Sequence, residues 1–323
     1  MATYFENIPV IGCDTGNKNV KTAHTITLSG IRKLPSAPAI MPTDPMDVLL
    51  VDGSYYIVDS ERLHYERNKV LTENNLLLTL IAVAKELRAL GLSPTSKVAL
   101  AVGLPPGHMA NATLVNQYRS YFLQNGGVHR FQCGGISHQI TFTDVIVCPQ
   151  AYSIVCGLST EVTGNPDLYL IDIGGGTVDS VHLIRKNADP RIISLDMGVI
   201  FLYSEIKSRL QNSSGLRITE DQIDDILLDR PSGIYKPELK RMVKEVADMH
   251  TKKIFDEFRD NSQDWRLSYV VFCGGGAILL KKYIEKYAPA YVGDFMVLED
   301  VAANAKGFEV MGKFAMKSKA AKK

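Results

Sequence analysis

Several features that would place this chain quickly are missing from it. Its five cysteines (Cys13, Cys133, Cys148, Cys156, Cys273) form no Cys-x-x-Cys pair. An odd count without pairing spacing fits a reducing cytoplasm, and four of the five lie in or beside apolar stretches as small core residues. Charge of one sign is not in excess: 36 Lys and Arg face 35 Asp and Glu, a net charge of +1. No broad basic face is therefore expected to bind nucleic acid directly, and contact with DNA would run through a partner or a local patch. The opening "MATYFENIPV" has no basic region followed by a long apolar run, so no signal peptide is expected, and it makes a poor amphipathic anchor. No apolar stretch approaches the roughly 18 residues of a spanning helix. The expectation is a soluble, cytoplasmic chain without a membrane partner. A Gly-x-x-x-x-Gly-Lys-Ser/Thr phosphate loop is also lacking.

What is present is ordinary globular composition over 323 residues, 46% hydrophobic and 22% charged. That is enough for a sizeable core in one large or two medium domains. The tail "GKFAMKSKAAKK" gathers lysines and reads as a frayed, solvated end.

Along the chain, "VIGCD" reads as a short buried strand and "KTAHTITL" as the strand returning after a turn. "DVLLVDGSYYIV" is a hairpin about Asp52-Gly53. Apolar spacing predicts a helix over Leu76–Leu90, capped by Asn74 or Asn75 and closed by Gly91. "KVALAVGLPPG" is a strand entering a Pro-Gly loop, Asn111–Gln124 looks helical, and "HQITFTDVIVCP" is a strand broken by Pro149. A turn-rich linker at Thr163–Asp167 opens the second half. There "LYLIDIGGGTVDSVHLI" is strand, glycine turn, strand, and "RIISL" adds a strand before a helix from about Val199 to Leu210. "TEDQIDDILL" carries capping-box spacing. "KPELKRMVKEVADMHTKKIFDEFRD" is a long helix with Pro237 in its first turn. "LSYVVFCGGGAILLKKYIEKY" reads as strand, glycine turn, helix, and "VAANAKGFEVMGKF" as a last helix. Each half thus opens with a strand, an Asp, a glycine-containing turn and a returning strand. That repeat predicts a duplicated α/β domain with a cleft between its halves.

Four stretches could carry chemistry. In "LIDIGGGTVD", Asp172 ends an apolar strand, and Gly174, Gly175 and Gly176 let the backbone approach an anion and aim N–H groups at it. Thr177 adds a hydroxyl. This is not a dinucleotide fingerprint, because Asp179 fills the third glycine position and a strand follows. "CDTGNKNVK" has the same plan, with Asp14, Gly16 and polar donors. Lys21 lies on the returning strand within reach of a phosphate, and Lys18, nearer the turn, competes with it. "VVFCGGGAILL" sets Gly274, Gly275 and Gly276 between a strand and a helix, where an adenine or phosphate can lie on bare backbone near a helix N-terminus. Gln150 follows Pro149 and can hold a water without being a strong base. Each stretch alone also has a plain reading: a hairpin, a tight strand-to-helix connection, a polar helix start.

Together and in this order, the four resemble the actin-like ATPase superfamily, which includes actin, the heat-shock chaperone ATPase and the sugar kinases. Asp14-Thr15-Gly16 is similar to its first phosphate motif, and Gln150-Ala151 to its first connecting helix. Asp172–Thr177 resembles the second phosphate motif, Phe272–Ala277 the adenosine motif, and Ala302–Gly307 the second connecting helix. Within the superfamily the chain most resembles the bacterial ParM/StbA plasmid-segregation actins, in Asp14-x-Gly16-x-x-Asn19-x-Lys21 and in "ANAKGF" at Ala303–Phe308. Gln150 resembles the actin form of the catalytic position, where some ParM relatives carry Glu.

The resemblance implies an actin-like (duplicated ribonuclease H-like) α/β fold. Domain I is expected over 1–163, with a smaller subdomain about 31–94 and the C-terminal helix 308–323 returning to it. Domain II is expected over 164–307, with a subdomain about 212–262. It implies ATP or GTP hydrolysis with Mg²⁺ held through waters by Asp14 and Asp172, and water orientation by Gln150. The nucleotide would lie on Thr15, Gly16, Asn17, Lys18, Asn19, Lys21, Gly174, Gly175, Gly176, Thr177, Gly198, Gly274, Gly275, Gly276 and Ala277, with Gly198 by the ribose. The implied partners are further copies of the chain, in polar or antipolar filaments, and an adaptor protein bound to plasmid centromere DNA. The alternative is a sugar or acid kinase of the same superfamily, for which Asp52–Asn75 offers no convincing acceptor loop. A chaperone ATPase is disfavoured, because only about fifty residues follow the adenosine glycines.

Overall fold

Alternation along three central strands organises the first part of the molecule. The computed structural model describes residues 2–59, 61–63, 72–185, 187–188, 192–261 and 264–322. It divides into two units, residues 1–158 with 302–323 and residues 159–301. In the first unit, β1 (Thr3–Phe5), β2 (Ile8–Thr15), β3 (Asn19–Lys21), β4 (Ile26–Leu28), β5 (Gly30–Leu34), β6 (Val48–Val51), β7 (Ser54–Asp59), β8 (Thr95–Leu104), β9 (Val128–Cys133) and β10 (Ile136–Pro149) share a sheet. Its order is β4-β3-β2-β8-β10-β9-β6-β7-β5, with β1 paired to β2. β2, β8 and β10 run parallel, and parallel strands need cover on both faces. Ile11, Cys13, Val98, Leu100 and Val102 pack in a core with α1 (Asn74–Ala89) and α2 (Ala112–Phe122). The alternate residues Val10, Ala99 and Ala101 pack instead with Phe308 and Met316 of the last helix, α9 (Ala303–Ala320). The period of two along each strand sends the two sets to opposite faces.

α1 is buried on every side from Leu76 to Leu87, as expected of a helix without a polar face. Its start differs from the expected asparagine cap. The helix begins at Asn74 itself, after Glu73, with no side-chain cap. Tyr121 takes over that role: its hydroxyl accepts from the Leu76 N–H at 2.7 Å and donates to the Thr72 carbonyl at 2.7 Å. "KTAHTITL" is likewise not one strand. β3 ends at Lys21, the chain turns at Thr22–Thr25, and β4 returns antiparallel to β3. Fully buried Glu86 of α1 stabilises that turn, accepting from Thr22 Oγ1 at 2.6 Å and from the His24 N–H at 3.2 Å. The Asp52-Gly53 hairpin has positive φ at both residues, 47° and 74°, which suits its tight turn. The segment 52–75, in which no acceptor loop is expected, lies partly outside the described residues.

The second unit has β11 (Asp167–Ile173), β12 (Val178–Ile184), β13 (Asn187–Ala188), β14 (Ile193–Leu195), β15 (Trp265–Cys273) and β16 (Val292–Val297). Their order is β13-β12-β11-β15-β16, with β14 on β12. β11, β15 and β16 are parallel, and β11 and β12 form an antiparallel hairpin. The helices are α3 (Thr160–Thr163), α4 (Val199–Ser214), α5 (Glu220–Leu227), α6 (Pro237–Asp260), α7 (Gly274–Leu279) and α8 (Lys281–Tyr291). Ile171, Ile173 and Phe272 of the sheet pack with Leu202 and Ile206 of α4, Phe255 of α6 and Ile284 of α8. α5 opens with the Thr219/Gln222 capping box, and Pro237 stands in the first turn of α6. The three glycines after Cys273 are not a turn that precedes a helix; they form the first turn of α7. Among the described residues, no helix is long and apolar enough to cross a membrane.

Candidate functional site

In the first unit, the buried run of β2 ends at Asp14, which is 5% exposed. Asp14 pairs with Lys21 across the β2–β3 ladder, so both side chains leave the same face. The intervening turn is tight. The Gly16 N–H donates to the Asp14 carbonyl at 2.9 Å. A Cβ on Gly16 would stand 2.6 Å from the Asn19 carbonyl oxygen, so a side chain does not fit. Ser29 anchors the turn from outside: its hydroxyl donates to the Asn17 carbonyl at 2.5 Å and its N–H to the Lys18 carbonyl at 3.1 Å. The Thr15 hydroxyl is engaged in the core by Tyr118 Oη at 2.8 Å, so Thr15 brings only its backbone to the turn. Gln150, at the end of β10, donates from Nε2 to Asp14 Oδ1 at 2.8 Å. Behind β2 lies Glu309 of α9, accepting from the Gly12 N–H at 3.4 Å and from Thr3 Oγ1 at 3.1 Å. Burial raises its carboxyl to about 7, against the opposing pull of those two hydrogen bonds.

In the second unit, Asp172 ends β11 and pairs across the ladder with Asp179 of β12. The Gly174 N–H donates to the Thr177 carbonyl at 2.9 Å and closes the turn. The carbonyls of Gly174, Gly175 and Gly176 are taken by the N–H groups of Val199 at 3.1 Å, Ile200 at 2.9 Å and Gly198 at 3.1 Å. These belong to the start of α4. In a trans peptide the C=O and the following N–H point in opposite directions. The N–H groups of Gly175, Gly176 and Thr177 therefore point away from α4, all to one side. Successive N–H groups so arranged form an anion-binding nest. Gly198 must be glycine here, because a Cβ would overlap the Gly175 carbonyl. The Thr177 hydroxyl donates to Asp179 Oδ2 at 2.8 Å.

The α7 glycines stand beside the same carboxylate. Gly274 has φ +87°, and a Cβ there would overlap Asp172 Oδ1; one on Gly276 would meet Ile173 Cγ2 and the Ile173 carbonyl. Gly275 is the exposed member of the three. Ala277 is fully buried in the hydrophobic core, so its methyl faces inward. The neighbouring Cys273 thiol is pushed well up by burial and by the charges of Asp172 and Asp179.

A family model described as "Actin like proteins N terminal domain" matches residues 12–152. A second, "Archaeal actin homologue MreB-like, C-terminal", matches residues 170–286. Among curated proteins, no match is found. In fold, the chain superposes on an archaeal actin homologue with a TM-score of 0.75 at 18% identity, covering 94% of this chain and 99% of that one. The fold is actin-like. A 15-stranded ParM filament from Clostridium botulinum matches this actin-like chain with a TM-score of 0.71 at 18% identity, over 97% of it and 100% of the filament subunit. Bacillus thuringiensis ParM with AMPPNP matches with a TM-score of 0.67 at 14% identity, over 96% and 99%.

The actin-like fold thus brings Asp14, Gly16, Asn17, Lys18, Asn19, Lys21 and Gln150 to one turn of the first unit. In the second unit it brings Asp172, Gly174–Thr177, Gly198 and Gly274–Gly276 to another. Ser29, Tyr118 and Glu309 were missed from sequence. Ser29 lies 12 residues from Asn17 and Tyr118 lies 103 from Thr15, and no motif connects either pair.

Proposed function

We propose that the chain is a nucleotide-driven, filament-forming actin-like ATPase that segregates plasmid DNA through an adaptor protein. The observation that carries the hydrolytic part is the Gln150 amide resting on the Asp14 carboxylate, 2.8 Å away, beside a glycine turn. With Nε2 donating to Asp14, the Gln150 carbonyl oxygen is left to accept from a water and fix its orientation. An amide is too weak a base to deprotonate that water, so its contribution is positioning, the main element of phosphoryl transfer. Lys21, opposite Asp14, supplies a cation for charge developing on the phosphate. The N–H groups of Gly175, Gly176 and Thr177 supply donors that need no reorganisation. Gly274 and Gly275 offer bare backbone for the nucleoside.

Asp14 and Asp172 are the residues that would hold magnesium through its waters. Carboxylates are hard donors suited to it. When bound, the ion supplies positive charge to the phosphates.

Self-association is supported by the filament among the proteins of the same fold. With a net charge of +1, contact with plasmid DNA is assigned to an adaptor. The test is sedimentation and electron microscopy with AMPPNP against ADP, alongside phosphate release. Pelleting filaments with AMPPNP and hydrolysis without an acceptor are expected. A soluble chain that phosphorylates a sugar or an acid would replace this reading by the kinase.

A further inference from the structure

The residue after Gln150 has an unusual backbone. Ala151 has φ 58° and ψ −57°, and the Tyr152 N–H donates to the Gln150 carbonyl at 2.6 Å. That is a γ-turn of the rare, strained hand. A residue other than glycine stays in such a conformation only where its surroundings over-determine it.

Those surroundings come from the far end of the chain. Asn304 Oδ1 accepts from the Ala151 N–H at 2.9 Å and from Ser153 Oγ at 3.1 Å. Asn304 is 6% exposed, and Ala151 and Ser153 are fully buried. It stands in the first turn of α9, which is seated so closely that a Cβ on Gly307 would overlap the Ser153 carbonyl and one on Gly12 the Ala305 carbonyl. On the other side, the Gln150 N–H donates to the Leu104 carbonyl at 2.9 Å. Gln150 is therefore held between β8 and α9, and its side chain meets Asp14 from that fixed base.

We propose that Asn304 is a positioning residue for hydrolysis. Its Oδ1 holds Ala151 and Ser153 in the strained turn and thereby aims the Gln150 amide. The proposal rests on the reading of Gln150 as the group that orients water. An acceptor at this place is the required feature, so Asn304→Asp keeps the function and Asn304→Ala loses it.

The test combines turnover with amide hydrogen exchange. Asn304→Ala is expected to lower kcat for phosphate release about 10-fold with KM for the nucleotide within about 2-fold. In a Gln150→Ala background the same change should have no further effect. Exchange at the Ala151 N–H should quicken about 10-fold in Asn304→Ala and stay slow in Asn304→Asp, which should retain turnover within about 3-fold. Unchanged exchange in Asn304→Ala, or an equal slowing of turnover in the Gln150→Ala background, overturns the proposal. If Asn304→Ala does not fold, loss of protection in Asn304→Asp overturns it. If Gln150→Ala alone turns over normally, the water-orienting reading fails, while exchange at Ala151 still decides whether Asn304 holds the turn.

Discussion

The two turns share a ladder position but not a chemistry. In the first unit the partner of Asp14 is Lys21; in the second the partner of Asp172 is Asp179. Each partner lies seven residues on. An acid opposite a base neutralises locally, whereas two acids opposite each other repel. The first turn therefore carries a side-chain cation and a positioned amide. The second carries main-chain N–H donors, and its glycine carbonyls are tied back to the start of α4. A repeated ladder places an acid at the same position in both turns, and the residue opposite that acid differs between them.

The supports behind the turns differ as well. The second rests on the start of α4, which does not titrate. The first rests on β2, bonded through Gly12 to a buried acid of α9.

The strongest way to break this comparison is Asp172→Ala. It should abolish Mg-ATP hydrolysis in a phosphate-release assay; wild-type activity would remove the second turn from the site. Next is pH. Folded Glu309 keeps its proton up to about 7, above an ordinary 4.5. The fold thus binds an extra proton between those values, and this contribution to stability is complete below about 4.5 and lost as pH rises to about 7. Glu309→Gln should remove that dependence and gain on the order of 3 kcal/mol over the parent at pH 8 relative to pH 4, measured by denaturant unfolding. Matching pH profiles would show that Glu309 does not titrate in that window.

Gln150→Ala should slow phosphate release about 10²-fold with nucleotide affinity kept; unchanged turnover would sink its role. The smallest expected effect is that of Lys21→Ala, a roughly 10-fold weaker affinity for nucleotide in a titration, on the scale of one charged contact. An equal loss in Lys18→Ala with Lys21→Ala silent would move the cation into the turn itself.

Much of the candidate site was legible because it is local. Asp14-x-Gly16 and Asp172-x-Gly174-Gly175-Gly176 are strand ends followed by residues that allow backbone to approach an anion, and spacing alone shows that. Reading failed where a local signal had a distant competitor. Asn74 and Asn75 looked like caps, but Tyr121 capped the helix from 45 residues away. "KTAHTITL" looked like one strand, but Glu86 drew Thr22 and His24 into a turn. Ala277 continued the glycine run, yet its methyl belongs to the core.

By itself the sequence determined the central strands, the glycine turns and the acids that precede them, because periodicity and backbone freedom act over a few residues. Only the tertiary structure decided which side chains support those turns. Asn304 reaches Ala151 across 153 residues, and Glu309 reaches Gly12 across 297. Such contacts arise from the docking of α9 on β2 and β10, where burial favours pairing each donor with an acceptor, and no spacing rule carries that information along the chain.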